Sequence, residues 1–275
     1  MSIYNFETYN ILLIIFLGFI EGITEFFPIS STSHIIVFAK LLQIKQNEIK
    51  ILNIFIQFGT SLSILIYFRY TFIKLFFSIL KIKNQYTHNN NFSYYHICLS
   101  ILPISFIGLY FNKYLETLLN FKNMCLSLVC GSILLTLAEI YKKKCIYTRK
   151  NINLLQSFTI GCFQCLALYP GFSRSCSTIA VSILLGINQH VASRFSFIIS
   201  VPIFFGKTIF DIFINYKNIP LHSLPILLIG SLSAFLISSI FIKRFLKIIS
   251  TCSFIPFIFY RYMLCLIIYI VLYRS

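Results

Sequence analysis

Glu21 and Glu25 stand four residues apart, and Ser30, Ser31, Thr32, Ser33 and His34 follow them directly. On a helix that spacing puts both carboxylates on one face, about 6 Å apart along the axis. Two like charges this close are stable only if one is protonated or a cation sits between them. The chain has only seven acidic residues, so placing two of them here is a concentration. The pair is read as a ligand set for a divalent cation, Mg2+ or Ca2+, or as general acid/base groups. A protonated pair hydrogen-bonded inside a bundle is the plain structural alternative. The hydroxyl run after Pro28 supplies a helix N-cap, but four hydroxyls exceed what a cap needs. Beside a serine and two carboxylates, His34 reads as a proton-transfer group rather than a satisfied core histidine.

A second polar insert, ALYPGFSRSCSTIAVSILLGI (167–187), sets a turn with Pro170–Gly171 and offers Ser173 and Ser175 as capping hydroxyls. Arg174 brings a fixed positive charge to the start of a helix, where backbone N–H groups already attract anions. A guanidinium binds phosphate oxygens in bidentate fashion. About ten apolar residues flank it on each side, which makes snorkelling to an interface a long reach. Carboxylates for a metal, a nucleophile hydroxyl, a histidine and an arginine at a helix start together describe phosphoryl transfer on a membrane-soluble substrate.

The elements that must hold these groups are apolar. Of 275 residues, 58% are hydrophobic and 11% charged, against roughly 25% charged in soluble domains. The class is an all-α polytopic membrane protein, with residues 1–275 forming a single integral membrane domain. The net charge of +16 falls mostly in short gaps such as YKKKCIYTRK, the mark of positive-inside topology, and nucleic acid is not implied. The lone Cys162/Cys165 CxxC lacks a second ligand pair and reads as apolar filler. MSIYNFETYN has no basic n-region and Glu21 interrupts the first apolar run, so a cleavable signal peptide is not expected.

Six spans of membrane-crossing length are expected at 51–69, 95–112, 122–140, 191–213, 223–242 and 253–273. Regions 9–45 and 154–188 are instead broken in the middle, at Pro28–Ser33 and Pro170–Ser177. Irregular backbone at membrane depth persists only where protein or a wet cavity surrounds it, so both are expected to be re-entrant helix hairpins. A shift of 143 residues places Glu21 on Gln164, Ser30 on Ser173 and LLQI on LLGI. A helix follows each, one with Gln57 and Gly59, the other with Pro202 and Gly206. Repeat one would cover about 9–140 and repeat two about 154–273. With the basic stretches 70–93, 141–153 and 243–247 placed in the cytoplasm, the hairpins enter from opposite faces, as in inverted-repeat transporters. Lys40, Lys45 and Lys50 then fall on the outer side.

EGITEFFPISSTSH (21–34) and PGFSRSCST (170–178) resemble the two signature motifs of the undecaprenyl-diphosphatase family of the bacitracin-resistance type. GCFQCLALYPGFSRS (161–175) and SFIPFIFYR (253–261) are also similar to it, and the likeness extends over essentially the whole chain. The resemblance implies removal of one phosphate from the C55 isoprenyl diphosphate lipid, which regenerates the carrier for cell-wall synthesis. It implies a divalent cation, membrane lipids as surroundings, and a multi-pass protein of the bacterial inner membrane with its site open to the periplasmic side. A homodimer is compatible with it. Carried over, the acidic pair falls on Glu21 and Glu25, the nucleophile on Ser31, the histidine on His34 and the phosphate-binding arginine on Arg174. Ser30, Thr32, Ser173, Ser175 and Thr178 become substrate-binding hydroxyls. The family's usual glycine is replaced here by Ser33, and its Gly-Ala by Cys176–Ser177, positions where unusual backbone angles are expected.

Two other functions compete. A lipid phosphatase with a histidine phospho-enzyme needs a His-to-Asp element after Arg174, and none follows. A transporter or lipid flippase would suit inverted repeats with midplane charges, and would move lipid without releasing phosphate.

Overall fold

The computed structural model describes residues 11–80, 92–111, 120–144, 148–215 and 221–273. Its helices are α1 (Ile11–Thr24), α2 (Ser31–Leu41), α3 (Gln46–Tyr67), α4 (Arg69–Ile79), α5 (Tyr94–Tyr110), α6 (Phe121–Lys144), α7 (Leu154–Gln164), α8 (Arg174–Leu184), α9 (Gln189–Asn215), α10 (Leu224–Thr251) and α11 (Ile255–Ile268). A 3-10 turn, Cys165–Leu168, extends α7, and a π turn, Tyr269–Tyr273, extends α11. Among the described residues β structure is limited to an isolated bridge between Arg149 and Ile187. Helices α3, α6, α9 and α10 are long and apolar enough to cross a membrane.

All six expected spans are helical, and three differences stand out. Helices α5 and α11 have 17 and 14 residues and are short for a crossing; position 112, the expected end of the first, lies outside the described residues. Part of the basic gap 70–93 is helix α4, whose Leu75 and Phe72 join the core beside Phe68; residues 81–91 of that gap are outside the described residues. The basic stretch 243–247 is not a gap but the continuation of α10 to Thr251. Lys243, Arg244 and Lys247 are exposed there while Ile242, Phe245, Leu246 and Ile249 are buried. That 3.6-residue alternation is a reason for the helix to continue rather than stop.

The two broken regions match landmark for landmark at an offset of 143. Helices α3 and α9 start at Gln46 and Gln189. Helices α2 and α8 both have 11 residues. Their N-caps, Ser30 and Ser173, have φ of 72° and 74°, and each side chain accepts from the third backbone N–H of its helix, Ser33 and Cys176. Past their ends, Gln43 and Gly186 have φ of 56° and 78°. Gly18 and Gly161 also correspond: an added Cβ would lie 2.6 Å from Gly230 O in α10 and 2.5 Å from Ser100 O in α5. Each first half-helix is thus packed backbone to backbone on a helix from the other half of the chain.

Neighbouring residues fix the directions. Helix α1 runs parallel to α10, since Gly18 meets Gly230 and Gly22 meets Ala234 and Ser238. Helix α2 returns toward the start of α6, where Lys40 lies over the Phe121 ring. Helices α7 and α8 meet at the opposite end: Gln156 at the start of α7 donates to Leu185 O beyond α8, and Arg149 N donates to Gly186 O. That end also gathers the ends of α6 and α10, since Glu139 accepts from Ser253 and Phe254 N, and Gln189 donates to the carbonyls of Ile249 and Cys252. Lys142–Lys144, Arg149, Lys150, Lys243, Arg244 and Lys247 therefore share one end of the bundle.

Candidate active site

The two breaks meet. After α1 the chain turns through Phe26–Ile29, with Phe26 fully buried against Phe197 and Phe245, and Phe27 against Phe245 and Phe257. These rings anchor break one. Ser175 Oγ donates to Phe27 O at 3.1 Å, joining break two to it. Arg261 of α11, fully buried, reaches both: it donates to Pro28 O at 3.1 Å and to Gly171 O at 3.4 Å. Those two carbonyls are themselves 143 residues apart. Its other bonds go to Ser127 O, Leu128 O and Ser132 Oγ of α6. The close approach of Gly131 leaves room for the guanidinium, which a Cβ there would strike.

At the centre lies Glu25. Ser31 Oγ donates to Oε2 at 2.6 Å, and Arg174 NH2 donates to Oε1 at 3.1 Å. The second amino group of Arg174 donates to Ser196 O at 2.8 Å, and its guanidinium lies 5.0 Å from the centre of the Phe204 ring. Its Nε is buried without a partner. Thr178 Oγ1 is 2.6 Å from Ser196 Oγ and donates to Arg174 O, tying the start of α8 to α9. Glu21, one turn before Glu25, is fully buried, and neither of its oxygens has a hydrogen-bond partner. Its polar surroundings are Glu25, Ser31, Gln57 and Lys207.

The other expected residues have distinct places. Ser30 Oγ lies 2.9 Å from Ser33 Oγ, and Ser173 Oγ 3.1 Å from Ser175 Oγ. Thr32 is half-buried on the first turn of α2. His34 faces away from Ser31 in its bonding: Nδ1 is 2.7 Å from Ser30 O and Nε2 is 2.7 Å from Tyr260 OH, with the rings stacked at 8°. A carbonyl can only accept, so Nδ1 carries the proton and neutral His34 accepts from Tyr260. Within the breaks positive φ falls at Ser30, Gly171 and Ser173, not at Ser33 or Cys176, which are helical. Cys176 is buried, with Sγ donating to Gly131 O at 3.3 Å.

Ser196 and Lys207 are not marked by the sequence reading; Gln57 is noted there only as a feature of the helix after the first break, and Tyr260 and Arg261 only as part of SFIPFIFYR, none of them as a site residue. A charged residue inside an apolar span is a functional hypothesis by default, and that signal was present for Arg261 and Lys207. Ser196 carries no such mark among so many serines.

Comparison with known proteins identifies the family. The family model "Bacitracin resistance protein BacA" matches residues 14–267. An undecaprenyl-diphosphatase of Buchnera aphidicola subsp. Baizongia pistaciae is 50% identical over 263 residues, covering 96% of this chain and 97% of that protein. The undecaprenyl-diphosphatase of the Schizaphis graminum subspecies is 41% identical over 268 residues, covering 97% and 100%. That of Baumannia cicadellinicola subsp. Homalodisca coagulata is 39% identical over 275 residues, covering 97% and 99%. With its two polar breaks joined through Glu25 and matched in sequence from end to end, this chain belongs to the bacitracin resistance protein BacA family.

Proposed function

We propose that the protein hydrolyses undecaprenyl diphosphate to undecaprenyl phosphate and inorganic phosphate, recycling the lipid carrier of cell-wall synthesis and conferring bacitracin resistance. Its full-length relatives carry the name of that enzyme. The observation that carries the site assignment is the sharing of Glu25: a hydroxyl on one oxygen and a guanidinium on the other. In this mechanism Glu25 accepts the Ser31 proton as Oγ forms its bond to the terminal phosphorus. The bond from that phosphorus to the bridging oxygen breaks, and the lipid monophosphate leaves with the electron pair and takes the proton from Glu25. Glu25 then takes a proton from water as the water oxygen attacks the seryl phosphate, and returns it to Ser31 Oγ as the Oγ–P bond breaks. While Glu25 is protonated its pull on Arg174 weakens, so NH2 and the unpartnered Nε turn to the phosphoryl oxygens.

Buried polar atoms normally have partners, so the two bare oxygens of Glu21 fit a cation held with Glu25. Among the described residues no third His, Cys, Asp or Glu completes a metal cluster. Mg2+ bound by one or two carboxylates, with substrate phosphate completing its shell, matches that donor set. When bound, such a cation would neutralise charge on the transferring group.

The arrangement is read as an inverted repeat, with α1–α2 and α7–α8 as re-entrant hairpins in one membrane domain. Matching caps at a 143-residue offset and half-helices entering from opposite ends of the bundle support it. The gathered Lys and Arg at one end support a cytoplasmic placement there, leaving the α1–α2 end periplasmic. The test is direct. Detergent-solubilised protein should release inorganic phosphate from long-chain isoprenyl diphosphates; lipid movement in vesicles with no phosphate release would establish a flippase instead.

A further inference from the structure

Helix α9 presents one face to Arg174. Ser196 and Phe204 on it both touch the guanidinium, and Lys207 follows on that face, one turn beyond Phe204. Lys207 Nζ donates to Oε1 of the buried Gln57 on α3 at 3.3 Å. Gln57 borders Glu21, whose two buried oxygens are unpartnered. The two cations differ in depth: Arg174 is 7% exposed, whereas Lys207 is exposed.

A lipid diphosphate must enter with one phosphate leading and the other still attached to its chain. The leading phosphate goes to the buried end, against Ser31 and Arg174. With the leading phosphate there, the trailing phosphate would lie on the less buried side, where Lys207 is exposed. We propose that Lys207 binds this retained, lipid-attached phosphate, with Gln57 holding its ammonium in place before substrate arrives. This assignment rests on the reaction given above, and it makes Lys207 a determinant of affinity for the lipid phosphate rather than of the chemical step. Interactions made equally in ground and transition states raise affinity without raising turnover.

The experiment compares wild type, Lys207→Met and Lys207→Arg as purified full-length protein, using one isoprenyl diphosphate as substrate. Isoprenyl monophosphate of the same chain length and inorganic phosphate serve as inhibitors. For Lys207→Met the KM for the diphosphate and the inhibition constant for the monophosphate should both rise roughly tenfold, the loss of one charge-assisted contact. Turnover and inhibition by inorganic phosphate should stay within about threefold. Lys207→Arg should recover most of the affinity. An unchanged KM would overturn the proposal, as would a fall in turnover with KM flat, or weaker inhibition by inorganic phosphate alone. If Lys207→Met is not monodisperse, Lys207→Gln is measured in its place. Should wild type release no phosphate, the reaction itself is wrong, and direct titration with the monophosphate still decides whether Lys207 binds it.

Discussion

At residue 21 the chain places a glutamate, and 143 residues later, on the corresponding helix, a glutamine. Both are fully buried, and both end in polar atoms without hydrogen-bond partners. The same offset pairs Glu25 with Leu168, Pro28 with Gly171, Ser31 with Arg174 and His34 with Ser177. Between those pairs the caps agree in φ, 72° at Ser30 and 74° at Ser173, and differ in ψ, 88° against 121°. The two regions thus agree in backbone landmarks and differ in the side chains set on them. Anionic groups and the histidine lie in the first copy, the cation in the second. Glu25 and Arg174 meet as an ion pair across the seam between the two regions.

If the acidic copy alone holds the cation, excess EDTA should reduce phosphate release to background, the largest effect expected; full activity in EDTA would remove the metal role of Glu21 and Glu25. Next comes the proton acceptor. Glu25→Gln keeps the shape but removes the base, and should lower turnover by about 10²–10⁴, measured as phosphate released per monodisperse molecule. Wild-type turnover would show that Glu25 is structural.

The cation of the second copy ranks third. Arg174→Ala should cost about 10²–10³ in turnover together with substrate affinity. Arg174→Lys keeps the charge but loses the planar fork, and should retain part of the affinity. Gln164→Glu then asks whether the second copy can be made acidic. It should lower the melting temperature, because an unpaired carboxylate costs more to bury than the unpaired amide it replaces, and leave turnover per folded molecule unchanged. Higher turnover would mean a second competent site. The smallest effect tests the frame itself. Ser30→Gly and Ser173→Gly each relieve a left-handed backbone worth about 1–2 kcal/mol and lose a cap worth a few tenths. Both should raise the melting temperature, and by similar amounts; opposite signs would mean that the two caps do different work.

Much of this frame could be read from the chain alone, because it is written in local terms. Apolar runs interrupted by Pro, Gly and Ser marked both breaks, and the 143-residue offset marked their kinship. Glu21, Glu25 and Arg174 stand out because charge is rare in such surroundings, and Ser31 because it lies in a run of four hydroxyls beside them. Local terms also misled. The basic composition of 243–247 suggested a gap, although its apolar positions continue the helical face of α10. Contacts made at long range left no local trace: His34 and Tyr260 are 226 residues apart, and only the packing of α11 beside α2 brings them together. The special backbone angle likewise sat at the N-caps, Ser30 and Ser173, rather than at Ser33 or Cys176.

Arg261 gives this architecture a temporal aspect. Every group assigned to the chemistry has been synthesised by Thr178, yet the guanidinium that grips Pro28 and Gly171 together arrives on the last described helix, with Tyr260 beside it. Chains emerge from the N-terminus onward, so the nascent protein carries its acids, its serine and its arginine through the membrane before the two breaks can be locked. The join between the two breaks is thereby kept unfinished until α11 is in place. A chain that stops short of α11 would hold all the catalytic side chains and still lack the clasp that makes them one site.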